Sequence, residues 1–155
     1  MDKKLNIDRT PSDYEAEELM LNRELNSLAF QGNPLASFSY AKELYSALRN
    51  GQFQNYSQEA QTNIFETAYE YFQTASKHKV SSAHFYLGMI YYEGIFKERD
   101  PELALDYYIR GAALNNAFCF FELSRIYDEG VIAEKDIALQ FLYLKRSAEE
   151  GFVSA

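Results

Sequence analysis

Residues 83–118 read AHFYLGMIYYEGIFKERDPELALDYYIRGAALNNAF, and residues 119–154 read CFFELSRIYDEGVIAEKDIALQFLYLKRSAEEGFVS. The two segments are copies of one pattern that recurs after 36 residues without a gap. Equivalent positions carry the same residue or another small one: Ala83/Cys119, Leu87/Leu123, Gly88/Ser124, Tyr91/Tyr127, Gly94/Gly130, Asp100/Asp136, Tyr107/Tyr143 and Ala112/Ala148. A fixed period of this length is the signature of a solenoid, in which each repeat packs on its neighbours. The sequence therefore predicts a repeat protein.

Each copy contains two helical signals, which we call its A helix and its B helix. Asp100 and Asp136 are suited to cap the start of the B helices, and a proline follows Asp100 at the first helical position. Gly94 and Gly130 follow the A helices, where a residue with positive φ is wanted. The predicted helices lie at about 82–93, 101–114, 117–129 and 137–150.

The part of the chain before the two copies is also predicted to be helical. Ser12 and Glu15 have the spacing of a capping box, and a further helix is expected at 35–50. Ser57 is suited to cap the helix that follows. The predicted divisions are a disordered tail at 1–11, a helical repeat domain at 12–155 with a leading helix at 12–33, and repeats at about 36–82, 83–118 and 119–154. No segment has the pattern of a strand, so the expected class is all-α.

Gly88 lies inside a predicted helix, where glycine costs about 1 kcal/mol relative to alanine. We expect a close approach of the partner helix at this residue to outweigh that cost. Leu87 and Leu123 supply bulk beside the small positions. Truncating either leucine to alanine is predicted to cost roughly 2–5 kcal/mol.

The order of small and large residues resembles the Sel-one-like repeat, a relative of the tetratricopeptide repeat. The positions that carry the resemblance are Ala83, Leu87, Gly88, Tyr91, Gly94, Asp100, Ala104, Tyr107, Tyr108, Ala112 and Ala113. The next copy departs from the pattern with Cys119, Ser124, Gln140 and Leu144, and the copy before it is weaker. The resemblance implies a right-handed α-solenoid whose A helices line a concave face that binds proteins. It implies no shared catalytic residues, and hence neither an enzyme nor a cofactor.

The composition limits the choice of partner. The formal net charge is −8, which argues against nucleic acid and anionic membranes, since both need clustered Lys and Arg. The N-terminus lacks the apolar run of a signal peptide, and no stretch is long enough to span a membrane. A single cysteine, Cys119, fits a reducing compartment. We therefore expect a cytoplasmic protein whose partner is another protein or peptide.

Two groups of residues could carry chemistry. A metal site formed by His78, His84 and Cys119 has no supporting ligand spacing, so a turn histidine, a helix-face histidine and a packed thiol are the simpler interpretation. Carboxylates also crowd the turns after both A helices, but Asp100 and Asp136 already have a sufficient role as caps. The sequence predicts no metal and no catalytic site.

The two copies differ most at A-helix positions expected to point away from the partner helix. The set in the first copy is His84, Tyr86, Met89, Tyr92 and Glu93, and the set in the next is Phe120, Glu122, Arg125, Asp128 and Glu129. Exposed aromatic, Met and Arg side chains are favoured at binding surfaces. These ten residues are therefore the predicted protein-binding site, and neutral variation of a solvated face is the alternative.

The chain closes on residues 150–155, which read as the opening of another repeat. The helix at 137–150 is apolar on more than one side, so we expect a fragment of a longer protein or end-to-end contact with another chain through this uncapped helix. The predicted function is a protein–protein interaction adaptor or scaffold module. A structural subunit of a larger assembly and a regulatory domain of an enzyme remain as alternatives.

Overall fold

The computed structural model describes residues 23–151, which form helices joined by turns and loops. Within this range seven helices follow one another: α1 (Arg23–Phe30), α2 (Pro34–Arg49), α3 (Gln58–Lys77), α4 (Ser81–Glu93), α5 (Pro101–Ala113), α6 (Ala117–Glu129) and α7 (Ile137–Glu149). No strand occurs between residues 23 and 151, which confirms the predicted all-α class. The chain divides into two compact units between Ala75 and Ser76.

The first unit contains α1, α2 and most of α3. The side chain of Asn33 caps α2 by accepting a hydrogen bond from the amide of Ala36 at 2.9 Å, and Pro34 takes the first helical position. Ser57 caps α3 in the same way, with its hydroxyl accepting from the amide of Ala60 at 3.1 Å. Aromatic side chains contribute to the core of this unit, where Tyr45 packs edge-on against Phe72 with ring centroids 6.1 Å apart. The predicted helix at 35–50 and its Ser57-capped successor are thus confirmed.

The second unit contains two antiparallel helix pairs, α4 with α5 and α6 with α7. Gly88 of α4 lies directly against the ring of Tyr108 on α5, and a Cβ at Gly88 would lie 2.6 Å from the nearest ring atom. The predicted close approach is therefore present. Gly111 allows α5 and α6 to approach each other closely, since a Cβ atom at Gly111 would overlap the Sγ atom of Cys119.

The turns that follow α4 and α6 share the same cap and the same glycine conformation. The Asp100 and Asp136 carboxylates accept hydrogen bonds from the amides of Leu103 and Leu139 at 3.1 and 2.9 Å. Gly94 ends its helix at a φ of 67°, and Gly130 does so at 68°. Both glycines occupy the left-handed region, which side chains with a Cβ rarely adopt. The caps and the glycine stops predicted from the sequence are confirmed.

The predicted ends of the four helices differ from the structure by at most one residue. These helices run Ser81–Glu93, Pro101–Ala113, Ala117–Glu129 and Ile137–Glu149. The predicted tail at 1–11, the capping box at Ser12 and the leading helix before Arg23 lie outside the described residues, as do residues 152–155. The proposed repeat boundaries stay a prediction.

Candidate functional site

Two rows of side chains face each other where α4 and α6, the A helices of the second unit, lie side by side. Both rows follow helical spacing, with steps of three or four residues. The α4 row is Phe85, Met89 and Tyr92, and the α6 row is Phe118, Glu122, Arg125 and Glu129. We call these seven residues the A-helix seam.

The two rows touch at both ends of the seam. At one end the rings of Phe85 and Phe118 lie 5.3 Å apart, and Phe118 remains 49% exposed. At the other end the guanidinium of Arg125 lies 4.8 Å from the centre of the Tyr92 ring and donates a hydrogen bond to its hydroxyl oxygen at 3.2 Å. The seam is therefore apolar at one end and ionic at the other.

Arg125 is the centre of the ionic end. It donates hydrogen bonds to the carboxylate of Glu122, one turn before it, and to that of Glu129, one turn after it, at 3.2 Å. Burial disfavours the charged form of Arg125, but the hydrogen bond and the charge of Glu122 outweigh this effect and raise its pKa. Arg125 therefore stays charged and is held in one orientation by three partners.

Tyr92 is also contacted by Arg99, which lies in the loop that follows α4. The guanidinium of Arg99 lies 5.5 Å from the centre of the Tyr92 ring, and its Nε atom donates to the Tyr92 carbonyl oxygen at 3.0 Å. Each cation–π contact adds about 0.5–1 kcal/mol at an exposed site. The ring of Tyr92 is thus held by two guanidinium groups, those of Arg99 and Arg125.

Two of the ten predicted site residues are not exposed. His84 and Phe120 are only 7% and 5% accessible, so the expectation that they point away from the partner helix is wrong. The ring centroid of His84 lies 6.3 Å from that of Tyr107 on α5, and that of Phe120 lies 6.1 Å from that of Tyr143 on α7. Both residues fill the same slot against the B helix of their own pair.

The electrostatics of His84 follow from this burial. Its Nδ1 atom is buried and has no hydrogen-bond partner. Burial lowers the pKa of His84, the nearby Arg110 charge lowers it further, and Asp106 opposes the change. His84 is therefore a neutral packing residue near pH 7.

The other eight predicted residues are partly or fully accessible, and five of them lie in the seam. Tyr86 and Glu93 are partly exposed on α4 outside the seam, and Asp128 is an exposed residue of α6 whose carboxylate lies 3.8 Å from the ammonium group of Lys135. Sequence reasoning missed Phe85 and Phe118, which form the apolar end. A signal was present, because Phe118 lies one period of 36 residues after Ser82, so an aromatic residue replaces a serine at equivalent positions.

Within residues 23–151 no group of three or more His, Cys, Asp or Glu side chains is placed to hold a metal ion. Burial raises the pKa of the Cys119 thiol, with Glu122 adding to the effect, so this thiol is an inert packing group. No described helix has the length and hydropathy needed to cross a bilayer.

The helix pairs, caps and close glycine contacts define a helical-repeat protein, and the comparisons with known proteins name the repeat. The Sel1 repeat model matches residues 45–79, 81–116 and 121–152, which is more than half of the chain. The chain therefore belongs to the Sel1 repeat family, as the resemblance of its motifs indicated. No curated protein matches it significantly.

Solved structures agree with this fold. A Sel1 repeat protein from Oxalobacter formigenes is 23% identical and superposes with a TM-score of 0.64, covering 88% of this chain and 92% of that one. A protective antigen of uropathogenic Escherichia coli strains, described as displaying an SLR fold, is 20% identical with a TM-score of 0.64. That match covers 90% of this chain but only 27% of the antigen. Sel1 repeats in general mediate protein–protein interactions and are typically non-catalytic.

Proposed function

We propose that this protein is an adaptor that docks a partner protein or peptide on the A-helix seam and acts by binding rather than by catalysis. The observation that carries the proposal is the contact between Tyr92 and Arg125, which joins the two A helices through partly accessible side chains. Aromatic and arginine side chains fixed in this way are typical anchors of protein interfaces.

The composition of the seam also suits a protein partner. Phe118 offers an accessible ring beside Phe85, and the carboxylates of Glu122 and Glu129 flank Arg125. The seam thus combines an apolar end with a charged end, and protein interfaces likewise combine apolar and charged contacts. We include a cytoplasmic location in the proposal, since the one cysteine is a buried free thiol.

The proposal can be tested by affinity capture from native extract followed by mass spectrometry. The bait is the full chain, either unaltered or carrying the double substitution Phe118→Asp and Arg125→Ala. The matched control is Ile109→Asp, which alters an exposed apolar residue on α5, outside the seam. Thermal unfolding of all three baits shows whether their stabilities match.

We expect a partner that the unaltered chain and the Ile109→Asp control retain and the double variant loses. A partner retained equally by all three equally stable baits contradicts docking at the seam and favours a structural subunit that makes contact elsewhere. Failure of every bait to retain a protein favours a regulatory role within an enzyme.

A further inference from the structure

One buried side chain joins the starts of the two A helices. Asn116 is 7% accessible and caps α6, since its Oδ1 atom accepts a hydrogen bond from the amide of Cys119 at 3.0 Å. Its Nδ2 atom donates to the Oγ atoms of Ser81 and Ser82, the first two residues of α4, at 3.2 and 3.4 Å. An amide group that accepts through oxygen and donates through nitrogen can thus cap one helix and hold another.

This link between the A helices is not common to both copies of the repeat. One period of 36 residues earlier, the equivalent of Asn116 is Val80, which precedes α4 and makes no side-chain cap. A valine side chain carries no hydrogen-bonding group. Asn116 therefore supplies an interaction at the junction of α4 and α6 that the repeat pattern alone does not provide.

The link lies next to the apolar end of the A-helix seam. Asn116 is two residues before Phe118, whose ring lies 5.3 Å from that of Phe85. Arg125, which donates to the Tyr92 hydroxyl at the other end, is about 14 Å further along α6 at the usual rise per residue. Two attachments that far apart fix both the spacing and the angle of two helices, whereas a single attachment leaves a pivot.

The start of α6 is also attached to α7. The hydroxyl of Ser147, a residue that is 1% accessible, donates to the carbonyl oxygen of Ala117 at 2.8 Å. This bond does not involve the side chain of Asn116. Loss of the link is therefore expected to leave the α6–α7 pair intact and to change the spacing between α4 and α6.

We propose that Asn116 is a positioning residue of the docking site, because it sets the spacing of the two A helices that form the A-helix seam. The proposal rests on the function proposed above. Without the link, α6 can move away from α4 at its first turn, which separates Phe118 from Phe85 and divides the apolar end of the surface that the partner contacts. Asn116 acts through these rings and is itself buried.

Two variants separate the link from the cap. Asn116→Ser keeps a residue type that caps helices well, but it removes the amide nitrogen that reaches α4. The double substitution Ser81→Ala and Ser82→Ala removes both acceptors and leaves the cap of α6 unchanged. The matched control is Asp136→Ala, which removes the cap of α7 and leaves the link in place.

The readout is the nuclear Overhauser spectrum of each isotopically labelled full chain. The seam cross-peak joins the rings of Phe85 and Phe118, and the reference cross-peak joins those of Phe120 and Tyr143, which lie 6.1 Å apart within the α6–α7 pair. We expect both link variants to lose the seam cross-peak and to keep the reference cross-peak. The control is expected to keep both, although thermal unfolding shows that it is less stable than the unaltered chain.

The same variants then serve as baits in the capture from native extract. We expect both link variants to lose the partner that the unaltered chain and the control retain. A seam cross-peak that persists in both link variants overturns the role of Asn116, and docking at the seam stands if the Phe118→Asp and Arg125→Ala bait still loses the partner. Loss of the seam cross-peak with undiminished capture excludes that role together with docking at the seam. Loss of the reference cross-peak as well also overturns the proposal, because the whole of α6 is then disturbed.

Discussion

The contact between Gly88 and Tyr108 makes the packing of the repeat testable by one substitution. Gly88→Ala places a Cβ atom 2.6, 2.8 and 3.1 Å from three atoms of the Tyr108 ring, where ordinary contacts are longer. The ring is 1% accessible and cannot move into solvent. Overpacking of this kind costs about 1–3 kcal/mol, and alanine recovers about 1 kcal/mol of helix propensity. Because three ring atoms overlap, we expect a net loss of about 1–2 kcal/mol in the free energy of unfolding.

The next repeat supplies the control. Ser124 and Leu144 stand at the positions equivalent to Gly88 and Tyr108. Serine is larger than glycine, and leucine is smaller than tyrosine, so the two changes compensate in volume. In a Tyr108→Leu background the added Cβ no longer meets a ring. Gly88→Ala is therefore expected to be less damaging there, with a coupling energy of about 1 kcal/mol.

The assay is urea unfolding of the four chains of this double-mutant cycle, followed by far-ultraviolet circular dichroism. An equal effect of Gly88→Ala in both backgrounds refutes the steric argument. A stabilising effect of Gly88→Ala alone does so as well, since it means that helix propensity dominates.

Three further predictions concern stability and use the same assay. Asp100→Ala removes the cap of α5 and is expected to lower the free energy of unfolding by about 1 kcal/mol. The control Glu98→Ala is expected to change it little. Equal effects of the two substitutions contradict the cap assignment. The pKa of His84 is lowered below its ordinary value of 6.5, so its contribution to stability is complete above pH 6.5 and declines as the pH falls towards the folded-state pKa. His84→Gln is therefore expected to reduce the loss of stability between about pH 7 and pH 5. An undiminished loss in this variant contradicts the account. Leu87 is fully buried, so Leu87→Ala is expected to cost roughly 2–5 kcal/mol, and a change near zero contradicts its place in the core.

The local features of the fold could be predicted from the sequence because they depend on neighbouring residues. An aspartate before a helix caps it, and a glycine after a helix takes the left-handed conformation, as Asp100 and Gly94 do. The position of Gly88 predicted a close approach, and the structure adds that the approaching group is the ring of Tyr108.

The candidate site was harder to predict because variation between copies does not measure exposure. His84 and Phe120 differ between the copies, yet both are flat rings against equivalent tyrosines, Tyr107 and Tyr143. One aromatic ring can therefore replace another at equivalent positions while both remain buried. An A helix that packs on its own B helix and also on an adjacent A helix buries more than one side. The spacing along one helix cannot tell which residues remain accessible.

The most direct test of the central claim is hydrogen–deuterium exchange of the chain with and without its captured partner. Docking on the A-helix seam predicts slower exchange in residues 85–93 and 118–129, with residues 101–113 unchanged. Slower exchange confined to the B helices, at 101–113 and 137–149, with no change on α4 and α6, contradicts the seam as the docking surface.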